Sequence, residues 1–549
     1  MLITKLCFRL IILTTIVNLC VSCHNNAEKK IPKQEIVSEE GTHWWAGITA
    51  DGHLMPMDST YSHNLIGDNK GNQIQPLLLS SKGDLIWSEA PFNFTFKNGT
   101  IVLDSVTGDI VNLKAGNTLK EAYLHASDSF FKPSGKLPDE LLFSAPQYNT
   151  WIELVYDQNQ EDILKYAHAI IDNGFPPGVL MIDDNWQEDY GKWDFHPGRF
   201  SNPKAMMDEL HDLGFKVMLW VCPFVSPDCD VYRDLVSKKA FLVTEARESI
   251  KSALPQKDFR GNPKPEMVTW WNGISAVLDL SNPVAVDWFK SNLENLKEKY
   301  GVDGFKFDAG DTDFYRQGIS DKNVTANDQT LLFGAIGLDY PLNEYRAMWK
   351  MGGQPLVERL RDKNHSWEDL QKLIPQMALE GIMGYYFSCP DMIGGGDFTS
   401  FINDAKLDQE LIVRSAQCHA LMPMMQFSVS PWRVLDEKHF NAVKKSVELR
   451  SKYSSTILKL AKEASLTGEP ILRSMEYEYP NQGYATIKDQ FLMGKDLLIA
   501  PALVKGQKEK DIIIPKGNWK DQSGNVVVGP KKITVKVDLN DLPIYVRQN

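Results

Sequence analysis

Cysteine is scarce in this chain: there are seven in 549 residues, and Cys7, Cys20 and Cys23 fall near the N-terminus. The other four, Cys222, Cys229, Cys389 and Cys418, form no CxxC pair and have no histidine at zinc-ligand spacing, which excludes a zinc ribbon and leaves no metal site in view. Cys222 and Cys229 can pair in an oxidising compartment, and the sequence leaves that open. Positive charge is also short, with 59 Lys and Arg against 71 Asp and Glu and a formal charge of -12. That balance argues against nucleic acid or an anionic membrane as the main ligand, and a neutral substrate fits better. No internal repeat or low-complexity block is present, so a solenoid is excluded. What the chain has instead is aromatic surface: 14 Trp and 18 Tyr, whose flat faces pack in cores and also stack on sugar rings.

The N-terminus reads as an export signal. Lys5 and Arg9 precede an apolar stretch, Leu10 to Cys20, that is too short to span a membrane. Leu19-Cys20-Val21-Ser22-Cys23 resembles a bacterial lipobox, which makes Cys23 an acylated anchor for an exported lipoprotein at the periplasmic or outer-membrane side; a plain cleaved signal peptide is the alternative. Residues 1–22 are then the signal and 23–42 a polar tether. From 43 to 146 short alternating runs such as Phe92 to Phe96, broken by Gly, Asn and Asp, predict an N-terminal β-sandwich.

Over 147–467 strand and helix patterns alternate. Strands are predicted at Trp151–Tyr156, Gly178–Asp183, Lys216–Val221, Gly304–Asp308, Pro355–Leu360 and Gly384–Ser388. Helices are predicted at Gln160–Asp172, Asn202–Leu213, Val284–Tyr300 and Trp367–Glu380. So many βα units predict an α/β fold, a (β/α)8 TIM barrel, with 226–277 and 311–338 as insertions after strands. Alternation returns over 468–549 and predicts a C-terminal β domain.

Two carboxylates stand out. In Gly304-Phe305-Lys306-Phe307-Asp308-Ala309-Gly310-Asp311, strand alternation puts Lys306, Asp308 and Gly310 on one face, where the lysine favours an ionised, nucleophilic Asp308 and the glycine leaves room for a ligand. Asp362 follows a second strand, at the end of a barrel where active sites form; Ser366 is free to cap the next helix, so capping does not explain Asp362. A charged carboxylate and a proton-donating carboxyl are what glycoside hydrolysis needs. At other strand ends lie Asp183 and Asp184, of which alternation lets only one face the lumen, and the stacking candidates Trp186 and Trp220. Of Trp270 and Trp271, adjacent in an insertion, one is expected to meet the ligand and the other to pack.

The segment from Asp362 through Trp367 to Pro375 resembles the acid/base segment of glycoside hydrolase family 31, and Lys306-Phe307-Asp308 its nucleophile strand. Pro390-Asp391-Met392-Ile393-Gly394-Gly395 is similar to a later loop of that family. His43-Trp44-Trp45, Ile182 to Trp186, Trp270-Trp271-Asn272-Gly273 and Met424 to Ser428 are nearest the branch of myogenesis-regulating glycosidases, which includes an α-galactosidase. The resemblance implies that Arg346 and Asp183 hold sugar hydroxyls, with Asp391 nearby. Asp311 departs from it, standing where the branch tends to have Glu. It also implies a retaining, exo-acting α-glycosidase for a terminal α-linked sugar, galactose first and glucose or xylose as alternatives; a catalytically silent sugar-binding protein is the reading of another class. Asp308 and Asp362 should then lie about 5 to 5.5 Å apart. The expected ligand is an α-linked oligosaccharide or glycoside, and no cofactor is required, because carboxyl groups supply both steps.

Overall fold

The computed structural model describes residues 33–57, 60–244, 264–402 and 406–548. The stretch read as an export signal, with Cys23, lies outside the described residues. Eight short parallel strands build the centre: Gln147–Asn149 (β1), Val179–Ile182 (β2), Lys216–Val221 (β3), Gly304–Phe307 (β4), Asn343–Tyr345 (β5), Glu358–Arg359 (β6), Ser388–Cys389 (β7) and Gln426–Phe427 (β8). Their hydrogen-bonded order is β7-β6-β5-β4-β3-β2-β1-β8. Met392, just past β7, bridges to Gln426 on β8, so the sheet nearly closes into the expected barrel. Its lumen is filled, not open: Gln426 donates to Gln147 Oε1 at 2.9 Å and to Glu344 Oε2 at 2.8 Å.

The helices that the sequence marks most clearly carry their own start signals. Asn159, Asn202, Asn282 and Ser366 each cap a helix by accepting a backbone N–H bond, for Gln160–Asp172, Pro203–Asp212, Pro283–Tyr300 and Trp367–Ile382. Two of these four have proline in the first turn, where its missing N–H costs nothing. The strand expected at Trp151–Tyr156 is instead a short helix, Trp151–Leu154, and the barrel strand lies just before it. Asn149 is the cause: its Oδ1 accepts the Trp151 N–H at 2.8 Å and turns the chain out of the sheet. The helices Gln409–Ala420 and Glu437–Thr467 were not singled out by pattern, the latter running 31 residues to Gly468 in the left-handed region.

The insertions are structured. Phe224–Val225, Met267–Trp270 and Gly273–Val277 form a small antiparallel sheet, and Val243–Thr244 pairs with Gly318–Ile319, joining the two insertions. The second also holds the helix Ala326–Gly337, started by a Thr325–Asp328 capping box. Cys222 and Cys229 are free and buried, as are Cys389 and Cys418.

The N-terminal region forms two antiparallel sheets. One contains Gln34–Val37, which sits inside the stretch read as a tether and pairs with Thr100–Asp104. In the other, Gln73–Ser80 accepts Met348–Trp349 of the barrel as a parallel neighbour. A six-stranded antiparallel sheet, Leu472–Arg473 to Ile544–Gln548, ends the chain. One continuous apolar core runs from the N-terminal sheets into the barrel wall, and a second joins the barrel to the C-terminal sheet.

Candidate active site

A cleft of about 440 Å³ opens at the C-terminal ends of the barrel strands. Asp183 and Asp184 reach it from β2, Trp220 from β3, Lys306 and Asp308 from β4, Arg346 from beyond β5, Arg359, Arg361 and Asp362 from β6 and its exit, and Asp397 to Thr399 from the loop after β7. Backbone geometry at the strand exits aims these groups. Asn185, Ala309 and Asp391 all have positive φ, at 74°, 58° and 80°, which non-glycine residues adopt only when their surroundings hold them.

Asp308 is held from three sides. Its Oδ1 accepts the Ala309 N–H at 2.8 Å and Arg346 Nε at 2.9 Å, while Oδ2 accepts Trp220 Nε1 at 2.9 Å. Burial pushes this carboxyl toward its neutral form, but the positive charges of Arg346, Lys306 and Arg359 and the indole bond outweigh it and hold it well below the usual carboxylate range. Lys306 contributes only through its field, because its ammonium donates to Asp183 Oδ2 at 2.7 Å. Lys306 thus favours the ionised Asp308 as expected, from a distance, while the direct ion pair is made by Arg346. Arg346 also donates to Asp311 Oδ2 at 2.6 Å, so one guanidinium joins the two aspartates.

Asp362 stands differently. Its side chain is 41% exposed and its Oδ1 accepts Arg359 Nη1 at 2.7 Å. Arg359 is fully buried and shared, since the same nitrogen donates to Asp391 Oδ1 at 2.7 Å and Nε lies 3.3 Å from Glu344. Ser366 caps the following helix by accepting the Asp369 N–H, which leaves Asp362 free of that task.

Both aspartates after β2 line the cleft, against the expectation of one. Alternation ends at Ile182, and the turn at Asn185 brings the two round together. Asp184 accepts bonds from Tyr190 Oη at 3.0 Å and from Asn272 Nδ2, and burial together with the charge of Asp183 pushes its carboxyl up to about 7. Trp271 faces the cleft with the Arg346 guanidinium 5.3 Å from its ring centre, while Trp270 is buried and donates to Ser275.

Three sequence candidates sit elsewhere. Trp186 is fully buried, donates to the Trp220 carbonyl at 2.7 Å and packs on Phe195, so its ring is core. Asp391 lies behind the wall, fixed by Arg359 and by the N–H groups of Lys363 and Gly396. Gly310 makes room for Phe333 and not for a ligand, since a methyl there would meet that ring at 2.4 Å. Sequence reasoning missed Arg359, Arg361, Trp151, Tyr156 and the Asp397–Thr399 turn. An arginine inside a buried strand was a signal for Arg359; nothing local marked the others.

One buried carboxylate whose surroundings favour its charged form and one half-exposed carboxyl on the same cleft are equipped for attack at carbon and for proton delivery, respectively. Residues 144–351 match the model for the glycosyl hydrolases family 31 TIM-barrel domain, and residues 468–549 match the family 31 C-terminal domain, together more than half of the chain. The myogenesis-regulating glycosidase of Mus musculus is 32% identical over 426 residues, 75% of this chain and 57% of that protein. The chain belongs to glycoside hydrolase family 31. Alpha-glucosidase 2 of Bacillus thermoamyloliquefaciens is 25% identical over 71% of this chain and 51% of its own length. The chain thus spans a little over half the length of these curated relatives. Among solved structures, the Flavobacterium johnsoniae family 31 dextranase complexed with glucose shares the fold, with a TM-score of 0.80 at 22% identity, covering 94% of this chain and 66% of that one. Asp308 and Arg346 fall inside the matched barrel segment, and Asp362 lies beyond its end.

Proposed function

We propose that this protein is a retaining, exo-acting α-glycosidase that releases a terminal α-linked sugar, galactose in the first instance. The observation that carries the reading is that Asp308 and Asp362 share one cleft in opposite settings: Asp308 is locked by Arg346, Trp220 and the Ala309 N–H, and Asp362 is open to solvent. In the first step Asp308 attacks the anomeric carbon, the bond to the leaving oxygen breaks, and Asp362 gives that oxygen its proton. In the second, Asp362 takes a proton from water, whose oxygen displaces Asp308 from the sugar with net retention. Asp183 and Asp184 are suited to sugar hydroxyls, because a buried carboxylate left without its hydroxyl is costly and so discriminates.

Galactose rests on the branch resemblance, carried by Trp270-Trp271-Asn272-Gly273 and the other quoted segments. Glucose stays as the second reading because of the likeness to alpha-glucosidase 2. Both are tested by assaying the form that begins at Glu28 on aryl α-galactoside, α-glucoside, α-xyloside and α-N-acetylgalactosaminide. Highest kcat/KM on the galactoside is expected, and Asp308→Asn should lower turnover at least a thousandfold while leaving the circular dichroism spectrum unchanged. Wild-type rates in Asp308→Asn would remove the nucleophile assignment, and preference for another sugar would correct the substrate.

A further inference from the structure

Among the cations that line the cleft, all but one are ion-paired to described residues. Lys306 is paired with Asp183, Arg346 with Asp308 and Asp311, and Arg359 with Asp362, Asp391 and Glu344, all at 2.6 to 3.3 Å. Arg361 lines the same cleft and has no ion pair with any described residue. Its side chain is exposed and has one anchor. Its Nη1 donates to the Lys70 carbonyl at 3.2 Å, so a loop of the N-terminal region orients the guanidinium, whose other N–H donors have no partner among the described residues.

Its position says what it faces. Arg361 is the residue before Asp362, and a general acid stands beside the oxygen that leaves, so Arg361 belongs to the leaving-group side. The same mouth carries three aromatic rings together with the polar Asp397–Thr399 turn. Phe398 packs edge-on against Trp151 and Tyr156, with ring centres 5.4 and 6.0 Å apart, and Asp397 turns its Oδ1 inward to Thr399.

We infer that Arg361 makes the leaving-group side selective for an aglycone that carries a carboxylate. This rests on the glycosidase reading and adds to it the chemistry of the group released. A planar carboxylate matches the guanidinium fork, and at a partly exposed site such a pair is worth about 1 kcal/mol or a little more, equivalent to roughly tenfold in kcat/KM.

The test compares 4-nitrophenyl glycoside with the same leaving group bearing a carboxylate at ring position 3, in whichever sugar series the protein turns over. The acidic substrate is expected to have about tenfold higher kcat/KM, expressed mainly in KM, with the ratio falling as salt is raised. Arg361→Met should bring the ratio to about one, Arg361→Glu below one, and Arg361→Lys should keep part of it. A wild-type ratio near one, or a ratio that Arg361→Met leaves unchanged, overturns the assignment of Arg361 alone. The salt dependence in the wild type stands as a test even if a variant does not fold, and a salt-independent ratio counts against the assignment. Turnover of neither substrate overturns the glycosidase reading and this inference together.

Discussion

Burial alone would leave Asp308 and Asp184 neutral, and the cleft resolves the two cases in opposite directions. Asp308 has Arg346 on one oxygen and an indole on the other, so it stays charged. Asp184 has only neutral donors, Tyr190 and Asn272, and its near neighbour in charge is Asp183, so its carboxyl titrates near 7. The unfolded chain releases that proton near pH 4, about three units lower. Between those values the folded protein binds the extra proton, so this carboxyl's contribution to stability is greatest at low pH and is lost as pH rises from about 4 to about 7. Asp184→Asn removes the titration. Urea unfolding of variant and wild type should therefore show the variant gaining on the order of 2 to 3 kcal/mol relative to wild type between pH 5 and pH 8. A difference that stays constant over that range would mean that Asp184 ionises like an exposed carboxylate. None of this was visible from the dipeptide Asp183-Asp184, because the separation of roles depends on Lys306 and Asn272, respectively 123 and 88 residues away.

Among the elements, the barrel strands were legible where local pattern and burial agree, as at Val179–Ile182 and Gly304–Phe307, and less so where a strand is only two or three residues long. Gln147–Asn149 has too few positions to show a period, and Asn149 ends it by a side-chain bond that no periodicity records. Asp308 and Asp362 were legible because each follows a recognisable strand. Arg361 and the Asp397–Thr399 turn were not, since their place depends on loops packing across the barrel mouth. The loop after β7 has its own consequence for catalysis. Gly396 donates its N–H to Asp391 Oδ2 at 3.0 Å and accepts the Trp151 indole N–H at 3.1 Å. A methyl at this position would meet Asp391 Oδ1 at 2.6 Å and Asp362 Oδ1 at 3.2 Å. Its φ is not in the left-handed region, so alanine suits the backbone and the conflict is purely steric. Gly396→Ala should therefore lower kcat/KM on an aryl α-glycoside at least tenfold with the fold intact, by displacing Asp362 and Asp391. Wild-type kcat/KM in that variant would show that Asp362 tolerates movement at this wall.

At the scale of the whole molecule, the three regions that the sequence separates by pattern are joined by their interiors. The strand Met348–Trp349 belongs to the barrel in sequence but adds to an N-terminal sheet, and Gln73 of that sheet donates to the carbonyls of Arg346 and Arg359. Gly71 and Lys70 touch the side chains of Arg346 and Arg361. The N-terminal region thus supports the cleft from behind, and loss of its loop would remove one carbonyl partner from each of two cleft arginines. On the other side, the barrel helix Trp367–Ile382 shares a core with Leu472, Phe491 and Ile544 of the C-terminal sheet. Interfaces built as continuous apolar cores, and not as small polar contacts, couple the stabilities of the parts they join. Heating should accordingly give one calorimetric transition whose enthalpy agrees with the van't Hoff value, with cleft activity lost over the same interval. Two resolved transitions, or a proteolytic fragment of 147–467 that keeps turning over substrate, would show that the barrel stands without its neighbours and that Lys70 and Gly71 are dispensable to the arginines they hold.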